Sequence, residues 1–516
     1  MKPFSLPAGG PRPVSRLSGL FALALLAAAP AARAQYAVPP PAPPFPGSTN
    51  EYLRASNPAM KAWDIGLNFR FREDDKEGAG TTNAGLNWDF STRPVDTNDN
   101  QYQLTRAMPR VGYTGGLVAF NVEGIVSATP SDNRYNPAAA GQNLPERDAP
   151  DLYQGYLLLG NVKKFPVTLK IGRQELLYGD QRIVGSARWL NVPRTFDAAK
   201  LHYENPVVGV DVFTGGPVYV DYRNFNHANS QDQFSGIYCN FPQISKNDVV
   251  EAYVFERVVS RGIVTDNWSG VAPPARFPAP QDLYTWGVRV KSKPGTHGPW
   301  DYGIEAMYQS GTRTAVFPAT TVAAALVAPR LDQSAYALIA QASYSWTKAP
   351  WSPRLTAIYS LASGDKDPTD GKSETFQNLF PSNHLLYGAM DLTGLQNARD
   401  LRLAFTVKPM SNLLFAVETN VQWLDSTSDF WYNPAGAPRN FTGAAVGSGG
   451  GYRINPSYSN KLGQEVDVLA GVTVAPNLQI ELGACHYFRG DYVKQSLAAV
   501  GSKDASYAYV QLTFSL

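Results

Sequence analysis

The sequence predicts an all-β fold, a transmembrane antiparallel up-and-down β-barrel of about 18 strands. Three observations support this prediction. Apolar and polar residues alternate with period 2 along most of the chain, the connections between these stretches alternate between short and long, and the alternation continues to the last residue, Leu516. Closure of a barrel requires such a terminal strand, because the last strand must pair with the first. The composition agrees, since 27 Tyr, 24 Phe and 44 Gly suit many strands and turns.

The N-terminus has the three parts of a secretory signal. Basic residues precede an apolar stretch at positions 20–29 (LFALALLAAA), and Ala32-Arg33-Ala34 has the small-x-small form of a cleavage site. An N-terminal membrane anchor is the alternative, but the apolar stretch is too short to span a bilayer well. We therefore predict that residues 1–34 are a signal peptide.

The remaining chain divides into two parts. Residues 35–62 are predicted to be a proline-rich N-terminal linker, because positions 39–46 read PPPAPPFP. Residues 63–516 are predicted to form the outer-membrane β-barrel. One apolar patch inside a long loop, residues 322–327 (VAAALV), does not alternate and is predicted as a short helix folded over or into the pore.

The strands are predicted from the alternation alone. In one example, Tyr284, Trp286 and Val288 alternate with Thr285 and Arg289, which gives one apolar and one polar face. The predicted strands are residues 63–72, 101–114, 117–127, 151–160, 167–177, 196–204, 207–215, 232–241, 248–258, 283–292, 300–310, 334–346, 353–363, 398–408, 412–424, 462–474, 477–488 and 505–516. The second and ninth of these stretches are ambiguous in phase, so the sequence does not show which face is apolar.

The connections indicate where the barrel resides. Asn205-Pro206 and Ala475-Pro476 are tight turns, whereas five connections are long loops, at residues 73–100, 128–150, 259–282, 364–397 and 425–461. Short turns at one rim and long loops at the other are typical of bacterial outer-membrane barrels. An even strand number places both termini at the short-turn, periplasmic end. A soluble β-sandwich has no physical reason to keep this alternation.

One block of sequence resembles a known family. Residues 171–185 read IGRQELLYGDQRIVG and are followed by Trp189, Asn191 and Arg194. Further matching residues are Thr195, Phe196, Asp197, Ser363, Gly364, Asp365, Pro368–Gly371, Phe376, Phe380, Pro381, His384, Gly463, Glu465, Asp467 and Tyr487–Gly490. The pattern, from Trp63 to Leu516, resembles the alginate-export family of outer-membrane barrels.

The resemblance implies a monomeric 18-stranded barrel that passes an anionic polysaccharide, alginate in the best-known members, from the periplasm to the outside. It also implies a pore lined by many arginines with some acidic residues. In this chain the most specific block supplies Arg173, Arg182 and Arg188 together with Asp180. The chain ends in Leu516, where such barrels usually end in Phe.

The alternation predicts which charges face the lumen. If the apolar faces contact lipid, the polar faces line the interior, and a barrel of this size leaves an aqueous channel. The basic lumen candidates are Arg70, Arg72, Lys170, Lys200, Arg289, Lys291, Arg354 and Arg402, and the acidic ones are Glu123, Glu305, Glu418, Glu465, Asp467 and Glu481. These charges either contact a solute or pair across strands and stabilise the wall.

An anionic polymer would use these cations in a particular way. Arginine can hold a carboxylate with two parallel hydrogen bonds, whereas lysine offers a point charge. Permeation requires weak, repeated binding, so spaced cations are better than one deep site. The GRQELLYGDQR block spans a strand end and its outer loop, and we hypothesise that this charged loop folds inward and forms a constriction.

Metal binding and catalysis find little support in the sequence. Asp365, Asp367 and Asp370 can form a Ca²⁺ site in an outer loop, but Asp, Gly and Pro are also common turn residues, and a solvated turn is favoured. Cys239 and Cys485 either pair or are ordinary strand residues. The five histidines are not accompanied by a nucleophile elbow or an HExxH motif, so we predict no enzyme and no firm cofactor.

Three functions remain open. The leading prediction is an anion-selective pore that passes an alginate-like polysaccharide or a related anionic saccharide by passive diffusion. The alternatives are a diffusion porin for small solutes and a structural or adhesive barrel. Predicted partners are outer-membrane lipid and the saccharide, with a periplasmic export scaffold as a further candidate. A net charge of +2 gives no reason to expect nucleic-acid binding.

Overall fold

The computed structural model describes most of the chain from residue 45 onward. The described ranges are residues 45–78, 88, 90–92, 99–132, 146–161, 165–221, 224–264, 280–315, 328–384, 386–436, 438–439, 452 and 454–516. The predicted signal peptide, the first part of the proline-rich linker and the VAAALV stretch lie outside the described residues.

Eighteen long antiparallel strands form a closed ring. The strands in chain order are β1 (Trp63–Glu77), β2 (Asn100–Thr114), β3 (Val118–Ala128), β4 (Asp148–Leu159), β5 (Val167–Gln174), β6 (Phe196–Glu204), β7 (Gly209–Tyr219), β8 (His227–Ala228), β9 (Asp232–Asn240), β10 (Asp248–Val259), β11 (Gln281–Ser292), β12 (Trp300–Thr314), β13 (Arg330–Ser345), β14 (Arg354–Ala362), β15 (Lys372–Ser373), β16 (Ala398–Met410), β17 (Leu413–Trp423), β18 (Lys461–Ala475), β19 (Leu478–Arg489) and β20 (Ala505–Ser515). The two-residue strands β8 and β15 pair outside the ring.

The ring closes where the chain ends meet. β1 pairs with β2 on one side and with β20 on the other, with Phe69 opposite Phe514. Closure leaves no unpaired sheet edge. An open edge would expose unpaired backbone N–H and C=O groups to lipid, which is energetically costly. All 18 predicted strands are present and the predicted fold is confirmed. The main differences are at the boundaries, since β1 continues to Glu77 and β5 ends at Gln174.

Side chains alternate between a buried interior and an exposed exterior. On β11, Trp286 and Val288 are exposed, whereas Thr285 and Arg289 are buried. The ambiguous phase of β2 has a physical cause, because lumen-facing residues such as Leu104 are apolar and are buried inside the barrel. The same holds for aromatic residues of β10. Apolar side chains on both faces obscure the period-2 pattern.

The helices are short and lie before β1 or in the connections between strands. They are α1 (Ser48–Ser56), α2 (Asp491–Ser496) and two 3₁₀ helices, Pro58–Ala62 and Arg261–Val264. None of the helices in the described ranges is long and apolar enough to cross a membrane.

Helix α1 folds against the short-turn end of the barrel, so the second half of the predicted linker is ordered structure. The Asn50 side chain donates to Asp64 Oδ1 at 2.8 Å and accepts from the Ile65 backbone N–H at 2.8 Å. The backbone at Gly47 comes so close to the C-terminal Leu516 that a Cβ atom would lie 3.2 Å from its carbonyl carbon.

The two cysteines lie on strands at opposite sides of the barrel. Cys239 lies in β9 and Cys485 in β19, and both are free thiols. Nine strand-to-strand steps separate these two strands in a ring of 18, so the thiols are too far apart for a disulfide.

The exposed apolar exterior leads to a stability prediction. Val288 lies on the outer face of β11 and is 55% exposed, and Val207 lies in the turn between β6 and β7 with the same 55% exposure. V288K should lower the free energy of unfolding by about 2–4 kcal/mol, because it places a charge against the hydrocarbon core. V207K is the matched control and should change it by less than about 1 kcal/mol, since the turn is in water. Urea unfolding in lipid vesicles measures both, and equal effects would contradict a lipid-facing β11.

Candidate permeation path

A long connection folds into the barrel instead of outward. Residues 175–195, between β5 and β6, form what we term the first inner segment. Its tip is a tight turn in which the Gln181 N–H donates to the Tyr178 carbonyl at 2.9 Å. Gly179 in this turn has a φ of +54°, a conformation that favours glycine. The YGDQ motif therefore encodes a turn that presents Asp180 at its tip.

Tyr178 anchors the tip to the barrel wall. Its ring stacks on Tyr238 of β9 with centroids 4.6 Å apart and on Phe213 of β7 at 5.5 Å. Its hydroxyl donates to Asp211 Oδ2 at 2.9 Å. Because its ring packs on aromatic residues of the wall and its hydroxyl is hydrogen-bonded, Tyr178 holds the turn against the lumen face.

Asp180 forms a second anchor on β11. Its carboxylate lies 2.6 Å from Arg289 Nη2 and 2.7 Å from Lys291 Nζ. Burial alone would raise the pKa of Asp180, but Arg289 and Lys291 outweigh it and hold the pKa well below its usual range. Arg289 also pairs with Glu251 of β10. Lys291 is one residue from the end of β11, so the tip reaches deep into the barrel.

The other end of the first inner segment lies against arginines of β1 and β2. Arg70 donates to the carbonyl oxygens of Arg188 at 2.9 Å and Leu190 at 3.0 Å. Arg106 donates to the same two carbonyls, at 3.2 and 3.0 Å. Within the part of the chain that the structure describes, neither Arg70 nor Arg106 forms an ion pair with a carboxylate.

Trp189 lies between Arg188 and Leu190, whose carbonyl oxygens accept these arginine hydrogen bonds. The Arg72 guanidinium donates to the Trp189 carbonyl at 2.9 Å and its carbon lies 3.8 Å from the centre of the Trp189 ring. The His384 ring is parallel to the same side chain, with centroids 3.7 Å apart. Arg72 also pairs with Asp74 at 2.8 Å. The Arg72 guanidinium and the His384 ring both pack on the Trp189 indole, and these contacts hold Trp189 in place.

The first inner segment therefore spans the lumen. It contacts β11 through Asp180 and β1 through residues 188–190, and nine steps around the ring of 18 separate these two strands. Two strands at that spacing face each other across the barrel. A solute that passes this level must pass beside the segment or displace it.

A second inner segment, residues 374–397, packs against the first. The Gly185 N–H donates to the Phe380 carbonyl at 2.7 Å, and the Phe380 N–H donates to the Ile183 carbonyl at 2.8 Å. The Ala187 N–H donates to Ser382 Oγ at 2.8 Å. These hydrogen bonds, two between backbone groups and one to a serine hydroxyl, join the two segments into one unit inside the barrel.

The second inner segment also contacts two well-separated parts of the wall, β11 and β18, which are six strands apart around the ring. Gln377 exchanges side-chain hydrogen bonds of 2.8 Å with Gln281 of β11. Toward its other end, the Met390 N–H donates to Glu465 Oε1 of β18 at 2.7 Å. Glu465 and the neighbouring Asp467 are consequently buried beneath the segment.

Most predicted lumen charges are paired in the structure. Lys200 lies 2.9 Å from Asp211, and the Lys170 ammonium lies 3.7 Å from the centre of the Tyr156 ring. The other contacts are Arg402 with Glu418 at 2.5 Å, Arg354 with Asp301, Arg188 with Glu175 at 2.8 Å, Arg182 beside the Tyr387 ring at 5.8 Å, Glu305 with the Tyr253 hydroxyl at 2.7 Å, Glu123 with Gln154 at 2.8 Å, and Glu481 with Gln511 at 2.8 Å. Pairing between strands and loops therefore accounts for much of the charge.

Arg173 does not lie on the lumen face. It shares the face of Ile171, which is exposed on the outside, whereas Lys170 lies on the opposite face. Near the outer end of β5 its guanidinium lies 2.8 Å from Asp197 and 3.6 Å from Asp151. We attribute a structural role to Arg173. The sequence block alone could not reveal this role, because a motif does not show which face of a strand each residue occupies.

Arg106 is the functional candidate that the sequence did not reveal. It lies in β2, one of the two strands whose phase was ambiguous, so its face could not be assigned. Its position opposite Arg70 in the β1–β2 pairing was the available signal, since paired residues share a face.

The three aspartates of the outer loop form turns. Asp365, Asp367 and Asp370 each accept a hydrogen bond from the backbone N–H two residues later, at 3.1, 3.1 and 2.8 Å. Burial and the neighbouring Asp429 raise the pKa of Asp365 to about 6. This geometry supports the turn interpretation, and the calcium site stays a prediction.

Comparison with known proteins identifies the family. The sequence profile described as "Alginate export" matches residues 85–505, which is most of the chain. The chain belongs to the alginate export family. No curated protein matches it.

Solved structures agree with this family's barrel. The crystal structure of OccK8 (OprE) from Pseudomonas aeruginosa has a TM-score of 0.51 at 10% identity, covering 88% of this chain and 98% of that one. OpdO from the same organism has a TM-score of 0.50 at 12% identity, covering 88% and 97%. At such low identity the likeness is one of fold.

Family and fold together establish the general role. This member of the alginate export family is an outer-membrane pore in the bacterial outer membrane, and its exposed apolar face contacts lipid.

Proposed function

We propose that the pore passes an anionic polysaccharide, alginate-like, or a related anionic saccharide. The observation that carries this proposal is the contact of Arg70, Arg72 and Arg106 with the carbonyl oxygens of residues 188–190. A carbonyl is a neutral acceptor, and a carboxylate binds arginine more strongly through charge-assisted hydrogen bonds. Carboxylates of a polyuronate can therefore replace the segment at these arginines.

The exchange explains how a lumen that the first inner segment spans can conduct a polymer. As sugar carboxylates bind Arg70 and Arg106, the first inner segment loses its contacts on β1 and β2 and moves aside. Each contact between one sugar carboxylate and one arginine contributes only modest binding energy, so the polysaccharide can be released stepwise. The protein has no nucleotide-binding motif, so movement is passive and follows a gradient or partner machinery.

The barrel is proposed to act as a monomer with a periplasmic partner. The ring closes within one chain, which supports a monomer. A periplasmic export scaffold is proposed as a partner at the short-turn end, where α1 and the C-terminal residue meet.

Single-channel recording in a planar bilayer tests the function. We expect an anion-selective current that polyuronate blocks reversibly, while neutral dextran of the same size leaves it unchanged. A steady current that is indifferent to polyuronate would instead identify a porin for small solutes. No current under any condition would favour a structural or adhesive barrel.

A further inference from the structure

Three side chains of metal-binding type meet inside the barrel. Glu465 and Asp467 are two residues apart on β18 and share its lumen face, and Cys485 lies directly opposite Asp467 on β19. One ligand atom from each residue lies within 4.8 Å of the other two, and all three side chains are buried. Among the described residues this is the one group of three such side chains.

The two carboxylates are only partly satisfied by hydrogen bonds. The Met390 N–H donates to Glu465 Oε1 at 2.7 Å, and the Ala389 N–H lies 3.4 Å from Asp467 Oδ2. Glu465 Oε2 and Asp467 Oδ1 receive no hydrogen bond from the described N–H and O–H groups. A buried carboxylate oxygen without a donor is costly and indicates a missing partner.

A basic side chain does not fill that role. The nearby Arg402 pairs with Glu418 of β17, and none of the described lysines, arginines or histidines forms an ion pair with Glu465 or Asp467. Glu418 lies opposite Asp467 in the β17–β18 pairing, so Arg402 is already engaged by a third carboxylate there. Two buried carboxylates can remain together by sharing a proton or by binding a cation.

The thiol favours one kind of cation. Calcium and magnesium prefer oxygen ligands, whereas zinc and similar borderline-soft ions accept a thiolate together with carboxylates. The backbone of residues 388–390 lies against the carboxylates, because a Cβ at Gly388 would be 2.3 Å from Glu465 Oε2. This position, with a φ of +102°, suits only glycine and keeps the site compact.

We propose that Glu465, Asp467 and Cys485 bind a divalent transition metal ion of the zinc class. Each supplies one ligand, and water or a backbone carbonyl completes the coordination. The ion neutralises the two carboxylates and, through the Met390 and Ala389 contacts, holds the second inner segment to β18 and β19. This inference is independent of the transported solute.

Titration of the folded, metal-free protein with Co²⁺ tests the site, because cobalt replaces zinc and its thiolate complex absorbs in the near ultraviolet. We expect saturation at one Co²⁺ per barrel, with a thiolate-to-cobalt band that Zn²⁺ abolishes by displacement. C485S should eliminate the band, whereas the matched control C239S should retain it, because Cys239 lies on the opposite side of the ring.

E465Q provides a second test that leaves the thiol in place. It should weaken Co²⁺ binding at least tenfold while heat-modifiable migration on a denaturing gel confirms that the barrel is folded. Binding without a thiolate band, or identical titrations of the native protein and C485S, would overturn the proposal. No Co²⁺ or Zn²⁺ binding would show that the carboxylates share a proton instead.

Discussion

A D180R channel should conduct several-fold more current than the native channel. Asp180 holds the tip of the first inner segment through Arg289 and Lys291, and an arginine there would face two cations at close range. Removing one partner of a buried ion pair costs about 3–5 kcal/mol, which would shift a docked tip toward the undocked state by more than about 100-fold. Single-channel conductance in a planar bilayer is the measurement.

Two controls separate loss of docking from general damage. D180E keeps the carboxylate and should retain most of the native conductance, while D370R reverses a charge in an outer loop and should leave it unchanged. Equal conductance of D180R and the native channel would mean that the segment does not restrict the path.

The same ion pair predicts how the native channel responds to pH. The pKa of Asp180 is lowered in the folded protein, so its stabilising effect is present above the unfolded pKa of about 3.9 and is lost only as pH falls through the lower folded value. The Asp180 contact should therefore stay intact between pH 7 and pH 5, and the conductance of the native channel should be the same at both.

A channel with R70Q and R106Q should bind polyuronate much more weakly. Both arginines face the lumen, and each offers two hydrogen bonds to a carboxylate in place of its present carbonyl contacts. A hydrogen bond to a charged group contributes about 1.5–3 kcal/mol, so the half-blocking concentration of polyuronate should rise by roughly 10- to 100-fold or more. Selectivity for small anions should fall in parallel.

Further variants show whether charge or geometry matters. R70K/R106K keeps the charge without the planar fork and should retain small-anion selectivity but lose most of the polyuronate affinity. R399Q is the matched control, because Arg399 is a partly exposed arginine that pairs with Asp425 outside the lumen. If R70Q/R106Q were blocked by polyuronate as the native channel is, these arginines would not lie on the path.

The barrel itself was accessible from sequence for a physical reason. Period-2 alternation is a local property of each strand, and residues such as Trp286 and Arg289 reveal their faces without knowledge of any partner. Alternation failed only in β2 and β10, where apolar residues such as Leu104 and Phe255 pack inside the barrel. Their burial there depends on distant segments that the local pattern does not report.

The charges were predicted as a set but not as contacts. Sequence periodicity placed Arg70, Arg289 and Lys291 in the lumen, and the structure adds that Asp180 pairs with the last two. The sequence could not place Arg173, because a motif does not show which way a side chain points. Arg106 was missed for the same reason, since the phase of its strand was unresolved.

Sequence by itself therefore determined the strand number, the alternation of short turns and long loops, and the resemblance to the alginate export family. Only the tertiary structure decided that residues 175–195 fold inward, that Trp189 meets Arg72 and His384, and that Glu465 and Asp467 face Cys485. The reason is sequence separation. Strand facing is set by neighbours along the chain, whereas these contacts join residues that are far apart and meet only once the ring has closed.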